Sequence, residues 1–131
     1  MEIFVCLLLG LISAVELCAS LDFYQKHVIG NMLEYECATI NQRGIGVVDG
    51  KCKTINTFIL TKKAGVNRIC AGHTGQRQGG NFQVVECRHD GNSVPPNCIF
   101  WGELHNNRMI DIQCDHGLPV HFNTPNNAQN G

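Results

Sequence analysis

Six cysteines, Cys37, Cys52, Cys70, Cys87, Cys98 and Cys114, are dispersed through the chain, the nearest two eleven residues apart. No C-x2-4-C pair occurs among them. That argues against structural zinc, which gathers its thiolates in close pairs. An even number of scattered cysteines in a short chain instead predicts three disulfides formed in an oxidising compartment. Six cysteines allow fifteen pairings, and spacing alone selects none. A chain so cross-linked is limited to one small domain, and bridges of roughly 2–5 kcal/mol each hold much of its net stability.

The other two cysteines, Cys6 and Cys18, lie in an N-terminal segment of different character. Residues 3–15 are an almost unbroken apolar run, too short to span a bilayer. Glu16-Leu17-Cys18-Ala19-Ser20 follows, and its small residues suit a signal-peptidase site. We expect a signal peptide over residues 1–20, a single domain over 21–131, and a secreted, extracellular protein without stable membrane insertion. The n-region departs from the usual pattern, carrying Glu2 and no Lys or Arg; a retained signal anchor or a buried first helix are the alternatives. Removing this segment takes Glu2 and Glu16 away, leaving nine acidic residues against ten Lys and Arg, a formal charge of +1. So mild a charge does not by itself announce a nucleic-acid binder, and it argues against a strongly cationic membrane-disrupting protein. There is no N-x-[ST] sequon, so no N-glycan is expected.

Local patterning divides the mature chain in two. Residues 21–32 place Phe23, His27 and Gly30 on one face at i, i+4 and i+7, which predicts a helix stopped by Gly30-Asn31. A second helix is predicted over 34–42 and a third over 62–69. Residues 55–61 are β-branched and aromatic and predict a strand. Short strands are predicted over 82–87, 99–104, 109–114 and 119–122, separated by turns at Gly79-Gly80, Asp90-Gly91-Asn92, Asn106-Asn107 and His116-Gly117. Helices first and antiparallel strands after define an α+β class with three short helices and a curved antiparallel sheet. The Asn-rich tail from Thr124 has no apolar anchor and is expected to fray.

Imidazole is the side chain that exchanges protons near neutral pH without a large pKa shift. Of six histidines, His73, His89, His105 and His116 lie in Gly- or Asn-rich turn sequence and take an ordinary surface reading. His27 lies within the predicted first helix, four residues after Phe23. His121 lies in Pro119-Val120-His121-Phe122, whose alternation puts it on the face opposite Val120 and Phe122. A histidine on a regular element is better positioned for proton transfer than one in a loop. Lys53 follows Cys52 into a strand, where a disulfide can clamp its backbone.

Cys52-Lys53-Thr54-Ile55-Asn56-Thr57-Phe58 resembles the CK-x-x-NTF signature of the pancreatic ribonuclease superfamily, with every fixed position filled. Phe23-Tyr24-Gln25-Lys26-His27 is similar to that family's first-helix segment, which carries one catalytic histidine. Pro119-Val120-His121-Phe122 resembles the segment carrying the other, and Cys87-Arg88 through Pro96-Asn97-Cys98 a fourth block. The resemblance covers nearly the whole mature chain in order. It implies bridges 37–87, 52–98 and 70–114. A fourth bridge of the digestive members, between Cys70 and Cys87, is missing here. With the segment from Cys114 to His121, this looks closer to the angiogenin-like branch.

The resemblance implies a reaction that uses no cofactor and no metal. His27 takes the proton of the ribose 2′-OH, that oxygen attacks phosphorus, and His121 protonates the departing 5′-oxygen. The 2′,3′-cyclic phosphate is then hydrolysed with the roles reversed. Lys53 and the Phe122 N–H stabilise charge on the non-bridging oxygens. Substrate binding falls to Lys26, Asn56, Thr57 and Phe122, with Thr57 lining a pyrimidine pocket. The implied partners are single-stranded RNA and a ribonuclease inhibitor protein, the implied state a monomer. Three departures stand out: Lys26 replaces the family's Gln, Asn123 replaces the Asp that orients the second histidine, and an Arg-rich run of angiogenins is reduced to Gln42-Arg43-Gly44. An angiogenin-like signalling or host-defence protein with weak ribonuclease activity remains the alternative.

Overall fold

The computed structural model describes residues 21–124; the expected signal peptide and the tail after Thr124 lie outside the described residues. A capping box opens the first helix: the Asp22 side chain accepts from the Gln25 N–H, and the Gln25 side chain accepts from the Asp22 N–H, satisfying two otherwise orphaned donors. This helix, α1 (Phe23–His27), is shorter than the sequence predicts. Val28 and Ile29 leave it as strand β1 (Val28–Ile29) and pair in parallel with Ile59 and Leu60. A ladder partner suits β-branched residues better than a further helical turn.

The second predicted helix is a 3-10 helix, Glu34–Arg43, closed by Gly44 in the left-handed conformation. Strands β2 (Val47–Val48) and β3 (Lys51–Cys52) form a small hairpin. Then follow β4 (Ile55–Leu60), α2 (Lys63–Cys70), β5 (Gly75–His89), β6 (Phe100–Asp115) and β7 (Leu118–Phe122). The main sheet runs β1-β4-β5-β6-β7, antiparallel except at β1.

Two predicted turns are not turns. β5 runs through Gly79-Gly80 and β6 through Asn106-Asn107, with register shifts between Gly79 and Phe82 and between Phe82 and Val84. Asn81 and Asn107 carry the positive φ angles of 68° and 53° there. Residues that end strands elsewhere are used here as bulges, because pairing resumes on both sides. Gly79 also lets α2 pack closely: a Cβ there would lie 2.6 Å from Ile69 Cδ1.

Both faces of the sheet are covered. Ile59 and Val84 join Phe23, Val66, Ile110, Ile112 and Phe122 on one side, whereas their neighbours Phe58 and Val85 join Met32, Ile40, Ile45 and Phe100 on the other. Strand β4 therefore buries five consecutive residues, Ile55 to Ile59, as a doubly covered strand should. The bridges are Cys37–Cys87, Cys52–Cys98 and Cys70–Cys114. They tie the 3-10 helix to β5, β3 to the segment before β6, and α2 to the end of β6. The α+β class and the three bridges agree with the sequence expectation.

Candidate active site

Two consecutive polar residues on a doubly covered strand must find internal partners, and β4 buries Asn56 and Thr57. Asn56 uses both ends of its amide: its Nδ2 donates to the Lys26 carbonyl at 2.8 Å, and its Oδ1 accepts from Lys53 Nζ at 2.7 Å. One side chain thus ties the end of α1 to the Lys53 ammonium. The Thr57 carbonyl accepts from His27 Nδ1 at 2.9 Å. A carbonyl only accepts, so the neutral His27 ring carries its proton on Nδ1 and its basic lone pair on Nε2. The ring is fully buried, with centroids 5.1 Å from Phe23 and 5.2 Å from Phe122.

Lys53 is 2 % exposed, and its own N–H donates to the Gly46 carbonyl at 2.9 Å, beside the Cys52–Cys98 bridge. Burial, and then the charge of Lys26, push its pKa down from 10.5 to about 8. His121 sits on β7 opposite Gln113 and is solvent-exposed. Partial burial, then Lys26, then Lys53, lower its pKa from the usual 6.5. His27 and His121 stand on elements from opposite ends of the described chain. Phe122 links them: it stacks on His27 and directly follows His121 in β7.

Beside these groups lies an open cleft of about 450 Å³, whose lining includes Thr57, Gln78, Glu86, Arg108, Asp111, Phe122 and Asn123. The structure thus brings together His27, Lys53, His121, Lys26, Asn56, Thr57 and Phe122. Asn123, at the position of the family's orienting Asp, is turned elsewhere. The Asn123 side chain donates to Asp111 Oδ1 at 2.9 Å, and its backbone N–H to the Asp111 carbonyl at 2.9 Å, so its partner is Asp111 and not the His121 ring.

Two of the four histidines given a turn reading, His105 and His89, lie in strands instead. His105 lies inside β6, with Nε2 3.0 Å from carboxylate oxygens of both Glu86 and Glu103. His89 ends β5 and reaches the Ser93 carbonyl and hydroxyl at 2.9 and 3.0 Å. His116 does occupy a turn, at φ 50°, and faces Asp115 at 2.8 Å. Among the described residues, Glu86, Glu103 and His105 hold donor atoms close enough for one cation. Arg88 and Arg108 already lie 2.8 and 3.1 Å from Glu86, so added positive charge would be opposed there.

A buried imidazole of fixed tautomer, a second imidazole next to Phe122 and an ammonium of lowered pKa make this a candidate acid–base site. The chain matches the pancreatic ribonuclease family over residues 19–123 and belongs to that family. It is 44% identical over 78 residues to the angiogenin of Saimiri sciureus, covering 54% of this chain and 53% of that protein. To the oocytes ribonuclease of Aquarana catesbeiana it is 31% identical over 102 residues, covering 76% and 74%. The match to the Saimiri sciureus angiogenin spans about half of that protein's length. Among solved structures, zebrafish RNase5 superposes with a TM-score of 0.67 at 29% identity, covering 77% of this chain and 88% of that one. Green turtle egg white ribonuclease gives 0.62 at 31%, covering 78% and 93%.

Proposed function

We propose that residues 21–131 form a secreted, monomeric, metal-independent endoribonuclease that cleaves single-stranded RNA on the 3′ side of pyrimidines. The observation that carries this is the His27 ring, buried with its proton directed to the Thr57 carbonyl. That arrangement leaves Nε2 as the base for a ribose 2′-OH. The oxygen so activated attacks the adjacent phosphorus, His121 gives a proton to the departing 5′-oxygen, and a 2′,3′-cyclic phosphate is left for water to open. Lys53 supplies positive charge to the non-bridging oxygens, with the Phe122 N–H beside it. Lys26 adds a second ammonium, whose field at Lys53 and His121 marks it as a phosphate-binding group. Thr57 presents a hydroxyl that donates to one pyrimidine and accepts from the other. DNA has no 2′-OH and is expected to be inert.

The angiogenin resemblance favours a second reading, a secreted signalling or host-defence protein that retains weak activity. Assaying the purified protein on single-stranded RNA in EDTA, beside Lys53→Ala, tests the first reading. Cleavage should survive the chelator and fall roughly 10²-fold or more in the variant; activity abolished by EDTA and untouched in Lys53→Ala would refute it.

A further inference from the structure

We propose that Asp111 makes the base cleft select cytidine over uridine. This rests on the pyrimidine reading above and deepens it. Asp111 stands on β6 between the buried Ile110 and Ile112 and is itself only partly buried. There it lines the same cleft as Thr57 and Phe122. Gln78 is its partner across β5–β6.

The charges in that cleft are unequal. Glu86 is met by Arg108 at 3.1 Å, Arg88 at 2.8 Å and His105 at 3.0 Å, so its charge is compensated. Asp111 is held by neutral amides alone: Gln76 at 2.6 Å, Gln78 at 3.2 Å and Asn123 at 2.9 Å. Burial opposes its ionisation, but the bonds from Asn123, Gln76 and Gln78 outweigh that and hold its pKa below the ordinary value. Among the described residues no cation pairs with Asp111, so it brings a negative charge to the wall of the cleft. A carboxylate accepts about four hydrogen bonds, so three amides leave room for another donor.

Thr57 cannot tell the pyrimidines apart, because its hydroxyl rotates to suit either ring N3. The remaining difference lies at ring position 4, an amino donor in cytosine and a carbonyl acceptor in uracil. An anion on the wall of the cleft bonds the first and repels the second. Sites that discriminate by hydrogen bonds reject a mismatched partner strongly, because it leaves buried polar groups unpaired.

The test compares CpA, UpA and ApA cleavage by the unaltered protein and by Asp111→Asn. The unaltered protein should prefer CpA over UpA by roughly tenfold or more. The variant should bring the two within about threefold, mainly through faster UpA cleavage. Equal CpA and UpA rates in the unaltered protein, or a ratio that Asp111→Asn leaves unchanged, would overturn the inference while ApA stays slow. ApA cut as fast as CpA would instead defeat the pyrimidine reading itself. Should Asp111→Asn fail to fold, calorimetry on the unaltered protein decides: cytidine 3′-monophosphate must bind more tightly than uridine 3′-monophosphate, and equal affinities would refute the inference.

Discussion

The two histidines of the site are built in opposite ways. His27 is part of the core, fully buried between Phe23 and Phe122, with one ring nitrogen committed to the Thr57 carbonyl. His121 stands exposed on β7, the edge strand of the sheet, only partly buried and within the field of Lys26 and Lys53. Tautomer and orientation are fixed in the first by packing and one hydrogen bond. Proton affinity is set in the second by partial burial and by two nearby ammonium groups. An attacking base gains from a fixed lone pair, whereas an acid must be readily deprotonated in its turn. The same side chain is thus suited to two roles by its environment.

The largest expected effect treats the two alike. His27→Ala and His121→Ala should each lose roughly 10²–10⁴-fold in kcat/KM on single-stranded RNA, the range for removing one proton-transfer group. A loss in only one variant would break the pairing. Stability should then separate them. His27→Ala empties a buried site and leaves the Thr57 carbonyl without this donor, costing about 2–4 kcal/mol by thermal or urea unfolding. His121→Ala should stay within about 0.5 kcal/mol of the unaltered protein, as exposed substitutions do. Equal unfolding midpoints for the two variants would contradict the contrast.

A smaller effect concerns pH. His121 must be protonated to act as acid, and its pKa lies below 6.5. The alkaline limb of the pH–rate profile should therefore begin below the ordinary imidazole range. It should steepen near pH 8, where Lys53 loses its charge. Lys26→Gln removes a positive neighbour of both groups, so both pKa values rise and the limb moves to higher pH. A limb that stays in place would mean Lys26 does not act on His121.

How much of this was legible in the sequence depended on how local each signal was. The fixed positions Asn56 and Thr57 lie on β4, with Lys53 just before it beside the Cys52–Cys98 bridge, and the structure joins them to Lys26 and His27. Strand β4 was plain because four of its six residues, Ile55, Thr57, Phe58 and Ile59, are β-branched or aromatic. The end of α1 was not, since β1 forms only by pairing with β4, some thirty residues away. Gly79-Gly80 and Asn106-Asn107 misled because residues that tolerate positive φ serve turns and bulges equally. Asp111 lies within the strand predicted over 109–114, but the pairing that sets it beside Gln78 and Asn123 depends on register shifts that no local signal fixes. The link between Asp111 and Asn123, and the position of Asp111 in the base cleft, were therefore not visible.

The central claim is that two histidines transfer the 2′-oxygen to phosphorus without a metal. The most direct measurement follows CpA in EDTA by phosphorus NMR. The account predicts that cytidine 2′,3′-cyclic phosphate accumulates first and is slowly opened to the 3′-phosphate, while the 2′-deoxy dinucleotide stays intact. Cleavage of the deoxy substrate, or a 3′-phosphate released with no cyclic species before it, would contradict it.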